Sequence, residues 1–127
     1  MNTCWSYLLT FLFVQNSYGT LSIQVSGTLK VNENLRLTST ISSFKGIASW
    51  SKENDLKTNC DNNGFCDTSM VDNYYFSSNN SGVTVIINPL LVTDNETTWT
   101  CFYAGQTVSY TLSIVSASQS QSQTVSQ

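Results

Sequence analysis

The run Asp94-Asn95-Glu96-Thr97-Thr98-Trp99-Thr100-Cys101, with Cys101 placed 51 residues after Trp50, restricts the fold more than any other feature of this chain. Trp99, Cys101 and Tyr103 recur at every second position, so on an extended strand they point to one face. An Asp-bearing turn precedes them, and before that comes Val83-Thr84-Val85-Ile86-Ile87, which is stopped by Asn88-Pro89 because proline cannot donate to a sheet ladder. Period-2 alternation recurs elsewhere, and helical periodicity is absent.

Five further segments complete the pattern. Leu21, Ile23 and Val25 alternate with Ser22, Gln24 and Ser26 and end at Gly27. Leu35, Leu37, Ser39 and Ile41 alternate with Arg36, Thr38 and Thr40. Ile47–Ser51 surrounds Trp50, and Tyr74-Tyr75-Phe76 follows a polar stretch that shows no strand of its own. Ala104-Gly105 is the turn before Val108, Tyr110, Leu112 and Ile114, an inward-facing set. Short strands separated by turn signals, with one Pro in the chain, predict an all-β antiparallel sandwich.

The 127 residues make one domain at most. Residues 1–19 read as a secretory signal, with the apolar run Leu8–Val14 and small residues at Ser17 and Gly19, although no Lys or Arg precedes the run. The domain is expected over 20–115, and 116–127, almost wholly Ser and Gln, reads as a disordered tail or stalk. No later segment reaches the ~20 apolar residues of a membrane helix, so membrane insertion is not expected. Five Lys/Arg and eight Asp/Glu are scattered without a basic stripe, which argues against nucleic acid as a partner. Asn79-Asn80-Ser81 and Asn95-Glu96-Thr97 are glycosylation acceptors, which places Asn79 and Asn95 among the candidate modification sites.

Strand Val83–Ile87, Asn88-Pro89, the Asp-Asn turn, Trp99-Thr100-Cys101 and Trp50 together resemble the immunoglobulin-like superfamily over about residues 20–115. With Trp rather than Tyr two residues before the Cys, the chain is similar to Ig-like domains of secreted or surface invertebrate proteins. The resemblance implies a V/I-set-like Greek-key sandwich with Trp50 packed against Cys101, and a role in recognition, adhesion or immunity. Three departures stand out. Ser39 occupies the position of the family's strand-B Cys. Trp99 replaces the corner Tyr, whose hydroxyl bond to the backbone is then lost, although an indole N–H can still donate. The Ala104-Gly105 connection is too short for an antigen-contacting loop.

Loss of Cys4 with the signal leaves Cys60, Cys66 and Cys101, an odd number for a secreted chain. Cys60 and Cys66 bracket the turn-rich Asp61-Asn62-Asn63-Gly64-Phe65, so a local disulfide is expected, with Cys101 a buried free thiol facing Ser39. The alternative pairs Cys101 with Cys60 or Cys66. With no histidine to serve as base, and no zinc-ligand or EF-hand spacing, neither catalysis, a metal nor a cofactor is expected. Tyr74, Tyr75 and Phe76 are the candidate partner-binding aromatics, although alternation assigns one or two of them to packing. The expected function is an extracellular module that binds a protein or glycan, in the secreted fluid or on the cell surface. The alternative is a secreted stand-alone antagonist or inhibitor acting through the Cys60–Cys66 loop. The sequence leaves the oligomeric state open.

Overall fold

A computed structural model describes residues 20–115, so the expected signal and tail lie outside the described residues. The strands are β1 (Leu21–Gly27), β2 (Leu35–Ile41), β3 (Ile47–Lys52), β4 (Asp55–Asp61), β5 (Met70–Val71), β6 (Tyr74–Asn79), β7 (Gly82–Ile87), β8 (Thr98–Tyr103) and β9 (Gln106–Thr111). They form two antiparallel sheets, ordered β1-β2-β7-β6-β5 and β4-β3-β8-β9. The chain crosses between the sheets after β2, after β4 and after β7. This is a β-sandwich, and each sheet supplies one wall of the core.

The alternation in the sequence builds that core. Leu35, Leu37, Ser39 and Ile41 of β2 and Val83, Val85 and Ile87 of β7 are buried from one sheet. Ala48, Trp50, Trp99, Cys101 and Tyr103 are buried from the other. Trp99 is the aromatic hub. It meets Trp50 edge-on at 6.2 Å and reaches across to Tyr74 at 4.9 Å and Phe76 at 6.2 Å. Edge-to-face geometry of this kind adds to the area that the rings bury. Gly82 lets β7 approach β2 at Ser39, because a Cβ at Gly82 would overlap the Ser39 carbonyl oxygen.

Two strands were not legible in the sequence. β4 and the short β5 occupy the stretch read as polar connection. In β4 the inward positions are filled by Thr58 and Cys60, not by branched apolar residues, and a register shift opposite Trp50/Ser51 leaves Leu56 exposed. β9 ends at Thr111, yet Leu112 and Ile114 stay buried beyond it, held by Leu112 N–H to the Thr97 carbonyl. Ala104 and Gly105 form the β8–β9 turn, both at positive φ (50° and 76°), as a two-residue hairpin of matching twist requires.

Candidate functional site

Cys60 and Cys66 face each other as an antiparallel bridge and are joined by a disulfide. The loop between them is ordered by Asp61, whose Oδ1 accepts the N–H groups of Asn63 (2.9 Å) and Phe65 (3.0 Å). Asp67 then ties the chain back to β4, accepting the Asn59 N–H at 2.9 Å and the Asn59 side-chain amide at 3.0 Å. These bonds, the Asn59 backbone one foremost, hold the Asp67 carboxyl below its ordinary value of 3.8. Phe65, at the tip, is 64% exposed.

Cys101 is a buried free thiol beside Trp50, its register partner on β3. Burial pushes its pKa up to about 11, while the Ser39 hydroxyl acts in the opposite direction. That hydroxyl makes no hydrogen bond of regular geometry. Nor do the indole N–H groups of Trp50 and Trp99, so the donation that an indole would allow at this corner is not made. The hydroxyl bond to backbone appears instead at the other end of β8, where Tyr103 accepts the Lys45 N–H at 3.0 Å and secures the β2–β3 loop. A thiol of raised pKa, fully buried and with no base beside it, is a poor nucleophile.

The aromatic run Tyr74-Tyr75-Phe76 divides. Tyr74 (4% exposed) and Phe76 (6%) belong to the core, which corrects their place among the candidate partner-binding residues, and Tyr75 faces outward. The physical reason is the pleat: β6 carries these residues alternately to the two faces of its sheet. Tyr74 anchors a buried polar cluster that the sequence did not reveal. Its hydroxyl donates to Asp94 Oδ1 at 2.8 Å, and Lys52 Nζ lies 2.5 Å from that hydroxyl and 3.7 Å from the carboxylate. Asp94 Oδ2 also accepts the Leu91 N–H at 2.8 Å and the Asn73 amide at 3.1 Å. Burial, then the bond to Asp94, raises the Tyr74 pKa above its ordinary value of 10.0. The cluster fastens the β7–β8 connection to both sheets.

Asn79 closes β6 and is not in a free connection, while Asn95 follows the 3-10 turn Val92–Asp94. Both are exposed. Their Oδ1 atoms accept backbone N–H groups, Asn79 from Ser81 and Asn95 from Ile114, each at 2.8 Å. The Nδ2 atom that would carry a glycan takes no part in these bonds.

The outer face of the four-stranded sheet is rich in hydroxyls. Thr98 pairs with Thr111 and Thr100 with Ser109, each at 2.8 Å, and Ser49 donates to Asn59 at 2.6 Å. At the β8–β9 turn this face carries two exposed apolar side chains, Ile47 (56%) and Phe102 (38%). With Ser49, Ala104, Gly105 and Thr107 they line an open groove of about 330 Å³. Phe102 was readable in principle, since the alternation that buries Trp99, Cys101 and Tyr103 turns it outward. Ile47 was equally readable, since the alternation that buries Ala48 and Trp50 turns it outward.

No His/Cys/Asp/Glu group among the described residues has the proximity of a metal site, and no described helix is long and apolar enough to cross a membrane. Compared with known proteins, the chain matches no protein-family model, and no curated relative is found for it.

Proposed function

We propose that this chain is an extracellular recognition domain of the immunoglobulin-like type, binding a protein or glycan partner through the outer face of the β4-β3-β8-β9 sheet. The observation that carries the reading is the groove flanked by Ile47 and Phe102: exposed apolar side chains surrounded by neutral hydrogen-bonding groups. A polar rim around a few apolar anchors is how protein surfaces bind other proteins, and such a shallow groove suits a flat partner better than an enclosed small molecule. The strand order supports the immunoglobulin-like assignment. So do Trp50 beside Cys101 and the parallel bridge Lys30–Val115, which ties the β1–β2 connection to the segment that follows β9. The extracellular setting rests on the expected leader, the disulfide and the two exposed acceptor asparagines.

A second reading is favoured by Phe65, the most exposed aromatic among the described residues and the tip of a disulfide-closed loop: an antagonist that inserts this loop into its target. One experiment separates the two. The glycosylated chain is used as bait against native extracellular fluid and cell surfaces, beside Ile47→Asp/Phe102→Asp and Phe65→Asp variants. Loss of the captured partner with the first variant alone supports the sheet face, and loss with Phe65→Asp alone supports the loop. Capture indifferent to both variants rejects both surfaces. Stepwise loss of mass on treatment with an amide-cleaving glycosidase checks Asn79 and Asn95.

A further inference from the structure

The two edges of the four-stranded sheet differ in how they are protected. β4 is shielded by the 62–68 segment, by the disulfide and by Asp55, Lys57 and Asp61. β9 has none of these. Among the described residues no backbone bond from another element reaches the outward groups of Thr107, Ser109 and Thr111. The nearest is Val115 N–H to the Leu29 carbonyl at 3.0 Å, beyond the strand's end. β9 has no Pro, no charged residue and an unbroken register with β8. Natural edge strands usually carry Lys, Pro or a bulge to prevent pairing with another chain.

The sequence of this edge is self-complementary. Leu112 directs both backbone groups to β8, with its N–H on Thr97 and its carbonyl on Glu96. By alternation, Val108 and Tyr110 do likewise, and Thr107, Ser109 and Thr111 present N–H and C=O to the open side. Two such edges placed antiparallel about Ser109 set Thr107 against Thr111 of the second copy and Ser109 against its own counterpart, all as hydrogen-bonded pairs. Val108 then falls opposite Tyr110 of the second copy as a close, non-hydrogen-bonded pair. Thr–Thr and aromatic–β-branched pairs are among the favourable cross-strand combinations. Val108 and Tyr110 are half-exposed at the rim and gain cover.

Charge points to the same occupant. The chain carries a net −3, but all eight acids lie between Glu33 and Glu96. Neither β9 nor the adjacent β1 has any charged side chain, so two copies can meet here without like charges opposed. We propose that the β9 edge is a homodimerisation site, joining two copies into one continuous eight-stranded antiparallel sheet with its twofold axis at Ser109.

The test is sedimentation velocity of the full chain across a wide concentration range, with hydrogen exchange followed residue by residue. The mass should rise towards twice the monomer value as concentration increases. The amides of Thr107, Ser109 and Thr111 should slow in step with it, whereas those of Val108 and Tyr110 stay protected at every concentration. Ser109→Pro removes an outward N–H and the exposed hydroxyl bond to Thr100, neither of which lies in the core, so it should leave a folded monomer throughout. A mass that never departs from the monomer overturns the proposal. So does a dimer that persists in folded Ser109→Pro, or one in which these three amides exchange freely. Should Ser109→Pro fail to fold, the alternating exchange pattern of the unmodified chain decides alone.

Discussion

The centre of the sandwich and the rim of β4 each hold sulfur, and the chain stabilises them by opposite means. At the centre, Ser39 and Cys101 face each other uncrosslinked, surrounded by two tryptophans and the inward side chains of both sheets. At the rim, a loop with Asn63, Gly64 and Phe65 exposed is closed by Cys60–Cys66. Apolar burial contributes roughly 25 cal/mol per Å², so a filled core can hold two sheets together without a covalent link. A polar loop buries too little to offset its ordering entropy. The cross-link therefore lies where packing is weakest.

The sharpest attempt to break this contrast is Trp50→Ala. If packing alone holds the centre, truncating a fully buried Trp should cost ~3–5 kcal/mol and sharply reduce the yield of folded protein. Wild-type yield with an unchanged melting temperature would show that the centre does not depend on it. Next in size, Ser39→Cys should bond to Cys101 in an oxidising compartment and add up to ~4 kcal/mol by closing a loop of ~63 residues. Peptide mapping of the unreduced protein should recover the new bond with Cys60–Cys66 intact; a free thiol at Cys101 would mean that the two positions do not face each other closely enough.

The two regions should also fail at opposite ends of the pH scale. The Cys101 thiol is kept neutral by burial, its pKa pushed from 9.0 up to about 11. Its contribution, roughly 2–3 kcal/mol, is complete below pH 9 and is lost as the pH rises through 11. Tyr74, shifted in the same direction, adds to the alkaline loss. Urea denaturation midpoints should therefore fall over that interval, and by less in Cys101→Ala. Asp67 works the other way: its carboxyl is held below 3.8, so what it adds is present above that pH and is lost on further acidification. Smaller still, replacing Cys60 and Cys66 together by Ser should remove ~2 kcal/mol. Proteolytic nicking should then concentrate in 61–66, and a uniform loss of protection would mean that the loop and the centre are one cooperative unit.

Strands β1, β2, β3, β6, β7, β8 and β9 were legible because their inward positions are mostly apolar or aromatic at period 2, whereas the packing of Trp50 against Cys101 was an expectation of the immunoglobulin-like resemblance, not of the alternation. β4 was not, since Thr58 becomes an inward residue only through its bonds to Asp67 and Thr68, which lie in the returning loop. The local Cys60–Cys66 bond was legible from the turn residues that it encloses. For the surface, the sequence pointed to Tyr74-Tyr75-Phe76, and two of the three proved to be core.

By itself, then, the sequence determined the sandwich and the local disulfide, because each depends on residues close together along the chain. Only the tertiary structure decided the rest. Lys52, Tyr74 and Asp94 come together from β3, β6 and the β7–β8 connection, while Ile47 and Phe102 flank one groove. β9 is left with an open edge because β1 hydrogen-bonds to β2 in the other sheet. Contacts across sheets depend on register and strand order, which period-2 alternation does not encode.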